Sequence, residues 1–373
     1  MSQTADVIVI GAGIVGAACA EALTRDGLKV SILETSSVGG GATAAGMGHI
    51  VVMDDSEAQF QLTRYSRDLW NKLAPELPPH VEFEPRGTLW VAADDAEFGA
   101  VRQKQAFYTE RHVRVESLDA RQLAGAEPNL RSGLAGALLV PDDSVIYAPG
   151  AAQWLVERAC NRGASLHPGA EVTAISGAAV TLADRTTLSA GLIVCATGTW
   201  AAALFPSIAV RPRKGHLAIT DRYPGFLRHQ LVELGYLKSA HGAENESVAF
   251  NVQPRSTGQI LIGSSRQYDQ TNSSVDEPVL RRMLQRALEY MPGLAALSVI
   301  RTWTGFRAAT GDKLPIVGPC PGKPSVYLAT GHEGLGITTS LGTAQLLADL
   351  VMNRKPAIDP EPYLASRMQP AHA

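Results

Sequence analysis

The 373-residue sequence predicts an α/β chain, in which a parallel sheet flanked by helices is joined to a smaller, mostly antiparallel β domain. Three observations predict it. Near the start, a wholly apolar strand run leads through spaced glycines into a small-residue helix. Near the end, a second strand–glycine–helix unit appears. Between them, short alternating segments separated by turns fit antiparallel strands.

The first unit spans Asp6 to Glu34 and reads DVIVIGAGIVGAACAEALTRDGLKVSILE. Val7 to Ile10 is apolar and β-branched, as a strand buried on both faces of a parallel sheet requires. Gly11, Gly13 and Gly16 follow in G-x-G-x-x-G spacing. Such glycines allow a tight turn, approach of a pyrophosphate to the backbone, and close helix–strand packing. The helix expected from Ile14 to Asp26 directs free N–H groups and its positive dipole end at a phosphate. Gly27 ends it, and Lys29 to Leu33 is a second buried strand. Glu34 closes that strand 18 residues after Gly16, where a carboxylate can accept both ribose hydroxyls of an adenosine. The combination predicts a Rossmann-like dinucleotide site. An acid at Glu34 disfavours NADP but does not separate FAD from NAD.

Ser36 to His49 (SSVGGGATAAGMGH) is too small-grained to build a core, yet lets backbone lie against a planar ligand or phosphate. Helices are expected over Ser56 to Leu73, Asp95 to Arg111, Asp119 to Ala126 with Asp119 as N-cap, and Tyr147 to Arg162 with Pro149 in the first turn. Gly87 to Ala92, Leu166 to Ile175 and Ala179 to Leu182 read as strands. Leu192 to Cys195 is a buried strand running into Ala196-Thr197-Gly198-Thr199-Trp200, a second small-residue turn. Trp200 reads equally well as a core residue. Alternation from Leu231 to Ser264 fits strands, and Val275 to Met291 a helix. Val326 to Ala329 leads through Gly331-His332-Glu333-Gly334-Leu335-Gly336 into a helix from Ile337 to Met352, whose N-terminus can stabilise negative charge.

Composition narrows the function. A net charge of −3 gives no basic footprint for nucleic acid or acidic lipid. Four scattered cysteines without a CxxC pair argue for free thiols in a reducing cytosol rather than disulfides or a metal site. The apolar N-terminal run has no preceding basic segment and is expected to be a fold element rather than a signal peptide. No stretch reaches the length of a transmembrane span. A cytoplasmic protein is expected, with any contact at the inner membrane made through partners.

Taken together these motifs resemble the FAD-dependent D-amino acid oxidase family, which includes glycine oxidase, sarcosine oxidase and amino acid dehydrogenases. The carriers are VIVIGAGIVGAACAEAL with Glu34, GGGATAAGMGH, VCATGTWA, WTGFRAATGDKLPIVG and ATGHEGLGITTS, in the family's order across nearly the whole chain. The resemblance implies a FAD-binding domain of glutathione-reductase type over 1–82, 146–215 and 305–373. It implies a substrate-binding domain over 83–145 and 216–304. Gly11, Gly13, Ile14, Gly16 and Glu34 would hold the adenosine diphosphate, with Val172 offering backbone to adenine. Thr43, Ala44, Ala45, Gly46 and Gly48 would line the isoalloxazine. Ala196, Gly198 and Trp200 would lie on the pyrophosphate side. Gly331, Gly334, Leu335, Gly336, Ile337 and Thr338 would cap the pyrimidine end of the ring.

Arg307 would pair with the substrate carboxylate, because a planar guanidinium binds two oxygens at once. Tyr236 and Phe250 are candidates to cover the substrate. His49, His216 and His332 sit in or beside cofactor motifs, where a histidine serves either as a structural hydrogen-bonding residue or as a contact to flavin or substrate. No cysteine lies in GFRAATGD, where covalently flavinylated branches carry one, so noncovalent FAD is expected. The implied reaction is oxidation of the C–N bond of a small amino or imino acid. Overall look is closest to catalytic subunits of dehydrogenases acting on D-hydroxyproline, opines or sarcosine, which work in hetero-oligomers. Alternatives are a FAD-dependent hydroxy acid or alcohol oxidoreductase, a non-catalytic FAD electron-transfer or assembly subunit, and an NAD dehydrogenase.

Overall fold

A computed structural model describes residues 5–235, 246–268 and 270–368. They cluster into two compact units, one of residues 1–81, 147–213 and 306–373, the other of 82–146 and 214–305.

In chain order the first segment contains β1 (Ala5–Ile10), α1 (Ile14–Arg25), β2 (Val30–Glu34), the single-turn α2 (Gly41–Ala44), β3 (His49–Ile50) and α3 (Glu57–Leu73). The second carries β4 (Thr88–Ala92), α4 (Asp95–Glu110), β5 (Glu116–Asp119), α5 (Ala120–Ala126), β6 (Gly136–Val140) and β7 (Ser144–Val145). Then follow α6 (Ala148–Asn161), β8 (Ser165–Pro168), β9 (Val172–Ser176), β10 (Ala179–Leu182), β11 (Thr187–Cys195), α7 (Ala201–Leu204) and β12 (Arg211–Thr220). The remainder comprises β13 (Gln230–Glu233), β14 (Glu246–Pro254), β15 (Ile260–Tyr268), α8 (Glu277–Tyr290), β16 (Val299–Ala309), β17 (Ile316–Cys320), β18 (Lys323–Thr330) and α9 (Gly336–Val351).

The first unit is built on a sheet in the order β17-β18-β11-β1-β2-β8, with β9 and β10 attached beyond β11. β1 lies parallel between β2 and β11, so Val7 to Ile10 are covered on both faces and are at most 4% exposed. Full burial of such side chains stabilises by about 1.5–3 kcal/mol each, which is why this run carries no polar residue. β18 joins β11 in parallel, and β17 closes the edge antiparallel. The ends of β1, β11 and β18 therefore lie side by side, and each leads into one of the three glycine-containing turns of the sequence.

Helix ends follow local chemistry. Ser56 caps α3 by accepting the Gln59 amide. Asp119 and Gln122 form a reciprocal capping box on α5. Gly13 and Leu335, by contrast, cap α1 and α9 without any side-chain bond, and neither helix has an acid in its first turn.

The second unit centres on an eight-stranded sheet in the order β16-β12-β15-β14-β13-β4-β6-β5, antiparallel at β13–β14, β14–β15, β4–β6 and β5–β6 and parallel at β13–β4. The expected pairing of a Rossmann-like unit with a mostly antiparallel sheet thus holds. Among the described residues, no helix is long and apolar enough to cross a membrane.

Phe250 is a core residue and not a substrate cover. It is fully buried and stacked on Tyr290, with ring centroids 4.5 Å apart. Tyr236 lies outside the described residues. His216 is also structural: its Nδ1 meets the Ser265 hydroxyl at 2.9 Å, and its Nε2 accepts the Asp276 amide at 2.9 Å.

Candidate functional site

The glycine turn after β1 is packed too tightly for side chains. A Cβ on Gly16 would lie 2.0 Å from the Gly11 carbonyl oxygen, and Gly11, at φ +98°, would place one 2.8 Å from the Ala196 carbonyl oxygen. Ala196 is thereby pressed against the turn itself. Gly198 stands at φ +56°, and its carbonyl accepts the Thr330 hydroxyl at 2.8 Å. That bond ties the turn after β11 to the end of β18.

Glu34 spans the rim of this turn. Its Oε2 accepts the Ala12 amide at 2.7 Å, and its Oε1 accepts the Ser36 amide at 2.8 Å. Oε1 also accepts the Ser36 hydroxyl at 3.2 Å, so Oε2 is the oxygen with a further lone pair for a diol. The Thr43 hydroxyl accepts the Ile14 amide at 3.0 Å, placing Thr43 at the start of α1. Ala44 ends α2 exposed, and Ala45 caps it. Gly48 lies buried at φ +103°.

The C-terminal loop meets these same segments. A Cβ on Gly46 would fall 2.7 Å from Cδ1 of Ile337, and one on Gly336 would fall 3.8 Å from Cγ2 of Val15. The Thr338 hydroxyl donates to the His49 carbonyl. Ser66, which no spacing flagged, receives the Gly342 amide at 2.9 Å and donates to the Thr338 carbonyl at 2.6 Å. Two helix N-termini whose N-cap residues make no side-chain bond, those of α1 and α9, thus share one glycine-lined region, with the Thr43 hydroxyl meeting an amide at the start of α1. Partial positive charge at both suits a ligand that is anionic at two points. The absence of Cβ atoms lets these turns pack backbone against backbone, so that they offer N–H groups rather than side chains to a ligand, and with Glu34 at the rim the residues fit FAD.

Arg307 lies on β16 beside this region. Gly334 faces it, since a Cβ there would sit 3.5 Å from both Cδ and Nε of the arginine. His49 is close enough to feel its charge. Burial first, and the Arg307 guanidinium second, lower the His49 pKa to about 4. Its Nε2 is buried without a hydrogen-bonding partner, and burial keeps the ring a neutral imidazole. Although His49 is partly accessible as a residue, that nitrogen is not, and the atom decides the titration.

Of the two readings of His332, the structure takes the hydrogen-bonding one. It is buried, its Nε2 meets the Thr343 hydroxyl at 3.0 Å, and burial lowers its pKa to about 3. It fastens the glycine loop to α9. Trp200 is 73% exposed, which excludes core packing. Val172 opens β9 opposite Leu182. Leu335 and Gly331 frame the loop, the latter at φ +76°. The ion pair between Arg213 and Glu333 beside Arg307 had no signal in sequence, because its members stand 120 positions apart.

A family model described as DAO, FAD dependent oxidoreductase, matches residues 6–350. The chain is 29% identical to hydrogen cyanide synthase subunit HcnC of Pseudomonas aeruginosa, over 100% of this chain and 98% of that protein. It is 28% identical to glycine oxidase of Geobacillus kaustophilus, over 98% of both chains. The crystal structure of glycine oxidase from Geobacillus kaustophilus matches with a TM-score of 0.89 at 27% identity, covering 98% of this chain and 99% of that one. The crystal structure of L-proline dehydrogenase from P. horikoshii shares the fold, with a TM-score of 0.88 at 22% identity over 99% and 98% of the two chains.

Proposed function

The chain belongs to the DAO family of FAD-dependent oxidoreductases, and from that premise we propose that it oxidises the C–N bond of a small amino or imino acid. The observation that carries the reading is Arg307, set against Gly334 and near neutral His49 at the glycine-lined region. The glycine oxidase relatives support it.

FAD, when bound, supplies the acceptor for the hydride that leaves the substrate Cα. The protein's own part is binding, orientation and charge. Gly11, Gly13 and Gly16 bring backbone to the pyrophosphate, and Glu34 takes the ribose diol. The N-terminus of α9, from Gly336 to Thr338, provides positive dipole for charge arriving on the ring. Arg307 grips the carboxylate with its fork and so orients Cα–H. His49 stays uncharged at neutral pH, adding a polar contact beside the substrate nitrogen. The substrate reacts as the neutral amine, having lost its ammonium proton to water. Its lone pair forms the C=N bond as the hydride departs, and water adds to the iminium and hydrolyses it to the carbonyl product and amine.

FAD is held noncovalently in this reading, and the first unit is its domain. Within the substrate class, D-amino acids, proline or hydroxyproline derivatives and N-alkyl glycines fit one carboxylate beside one amine. A partner subunit accords with the HcnC relative, whose name makes it a subunit. Anaerobic titration of the holoenzyme with D-, L- and N-methyl amino acids tests the function. Bleaching of flavin absorbance by members of this panel is expected. Bleaching only by hydroxy acids, or by no substrate, would overturn it.

A further inference from the structure

Outside the site just described, α1, α3 and α9 meet around a cavity of about 210 Å³ in the first unit, with Arg158 of α6 at its side. Each of the three helices supplies one apolar pair at i, i+3 or i, i+4 spacing, which puts both members on one face. These pairs are Ala18 and Ala22, Leu69 and Leu73, and Leu341 and Ala344. The alanines leave the room, and the three leucines stay partly exposed along it. Charge surrounds these walls. Glu21 is buried and commits both oxygens to the protein: Oε1 accepts Nε of Arg158 at 3.3 Å and Nη1 of Arg162 at 2.8 Å, and Oε2 accepts Nη1 of Arg25 at 3.1 Å. Arg158 also donates to Oε2 of Glu76 at 2.5 Å, with its guanidinium 4.6 Å from the centre of the Trp154 ring. Lys72 lines the cavity too and pairs with none of the described residues. Arg25, Lys72 and Arg158 thus line the cavity against Glu21 and Glu76, and Arg162 adds a fourth cation to Glu21.

We propose that this cavity binds a small amphipathic anion, with its apolar tail between the three helices and its acidic head at Lys72 and the neighbouring guanidiniums. Both parts of that description come from the walls. A tail laid on the alanines and leucines removes apolar surface of both partners from water. A negative head group meets the excess of positive charge, which Glu21 cannot relieve because three arginines already divide it. A cationic ligand is repelled by Lys72, and an anion without a tail leaves the leucines wet. The bonds to Glu21 and the contact with Trp154 hold Arg25 and Arg158 in place, so little side-chain freedom is lost when the head group arrives. The inference does not depend on the reading of Arg307.

The test is calorimetric titration of the FAD-loaded protein with octanoate, butanoate and octylammonium. Octanoate is expected to bind at least about tenfold tighter than butanoate, since each further buried methylene is worth about fourfold. It should also bind at least about fivefold tighter than octylammonium. Lys72→Glu should weaken octanoate about fivefold, and Lys72→Arg should hold it within about twofold of wild type. Both change an exposed side chain, so the fold is not at stake. Leu341→Gln should lower the octanoate-to-butanoate ratio about fivefold. A carboxylate could instead enter beside Arg307. There it would perturb flavin absorbance and be lost in Arg307→Ala, whereas the site assigned here keeps its octanoate in that variant. No measurable binding of octanoate, equal affinity for octylammonium, or binding insensitive to Lys72→Glu would overturn the proposal. So would loss of all octanoate binding in Arg307→Ala.

Discussion

Thr338 and His49 are joined across 289 positions: the Thr338 hydroxyl donates to the His49 carbonyl at 2.7 Å. This bond seats the first turn of α9 on the strand that follows the glycine-rich loop. The Ser66 hydroxyl braces the same turn from α3. Short side-chain bonds to backbone thus tie the two ends of the chain together beside an apolar core that Ile8, Ile10 and Leu33 share with Ile316, Val326 and Leu328.

Thr338→Val keeps the shape and removes the donor. An unmet buried carbonyl costs about 1–3 kcal/mol. The expected outcome is a lower thermal midpoint and weaker FAD retention, read by circular dichroism and by the flavin-to-protein absorbance ratio. Unchanged values for both would mean that the bond does not hold the two loops together.

Gly16→Ala tests the turn after β1. The added methyl would sit 2.0 Å from the Gly11 oxygen, on backbone that cannot swing aside. Overpacking of this kind costs about 1–3 kcal/mol, and here it also displaces the backbone expected to meet the pyrophosphate. We expect colourless protein with a lowered melting temperature. Gly163→Ala is the control, because an added Cβ there meets nothing within 4 Å, although its φ of +99° carries a backbone cost of its own. A yellow Gly16→Ala protein with full FAD content would refute the assignment.

Arg307→Ala should leave FAD bound and raise KM for an amino acid substrate by orders of magnitude. Removing one partner of a desolvated charge pair costs about 2–5 kcal/mol. Arg307→Lys should recover only part of the loss, since an ammonium cannot make the two-pronged contact. Steady-state kinetics with wild type's best substrate decides, and an unaltered KM takes Arg307 out of the pocket.

Stability should fall on acidification through the window set by His49 and His332. Unfolded, each binds a proton near its ordinary pKa of 6.5; folded, burial holds them to about 4 and about 3. Below pH 6.5 the unfolded chain therefore carries more protons, and stability declines until the folded forms protonate. His49→Gln should flatten the part of the slope between about pH 6.5 and 4. Urea midpoints of FAD-free protein measured from pH 7 to 4 provide the check. A wild-type slope in the variant would show that His49 is not a buried neutral imidazole.

Acid precipitation should release the yellow colour into the supernatant. GFRAATGD has no thiol to hold a flavin, and Cys320 lies beyond it on β17. Colour retained on the pellet would demonstrate a covalent link.

Much of this protein was legible in one dimension, for a physical reason. β1 and α1 announce themselves because strand burial on two faces demands an unbroken apolar run, and because close packing admits only glycine at Gly11 and Gly16. The capping residues Ser56 and Asp119 act on neighbours three positions away, so their role too is local. Glu34 belongs with them, since its distance from the glycines is set by one helix and one strand.

What lies far apart in sequence had no such signature. Phe250 alternates like any strand residue, and only its stacking on Tyr290 shows that it faces a core. Whether His332 or His49 has a nitrogen to spare depended on Thr343 being in reach of one and not the other. Trp200 could equally have been buried; its exposure follows from where the turn after β11 ends. The Arg213–Glu333 pair exists only because β12 and the loop before α9 are brought together, and charge carries no periodicity by which a sequence could reveal its partner.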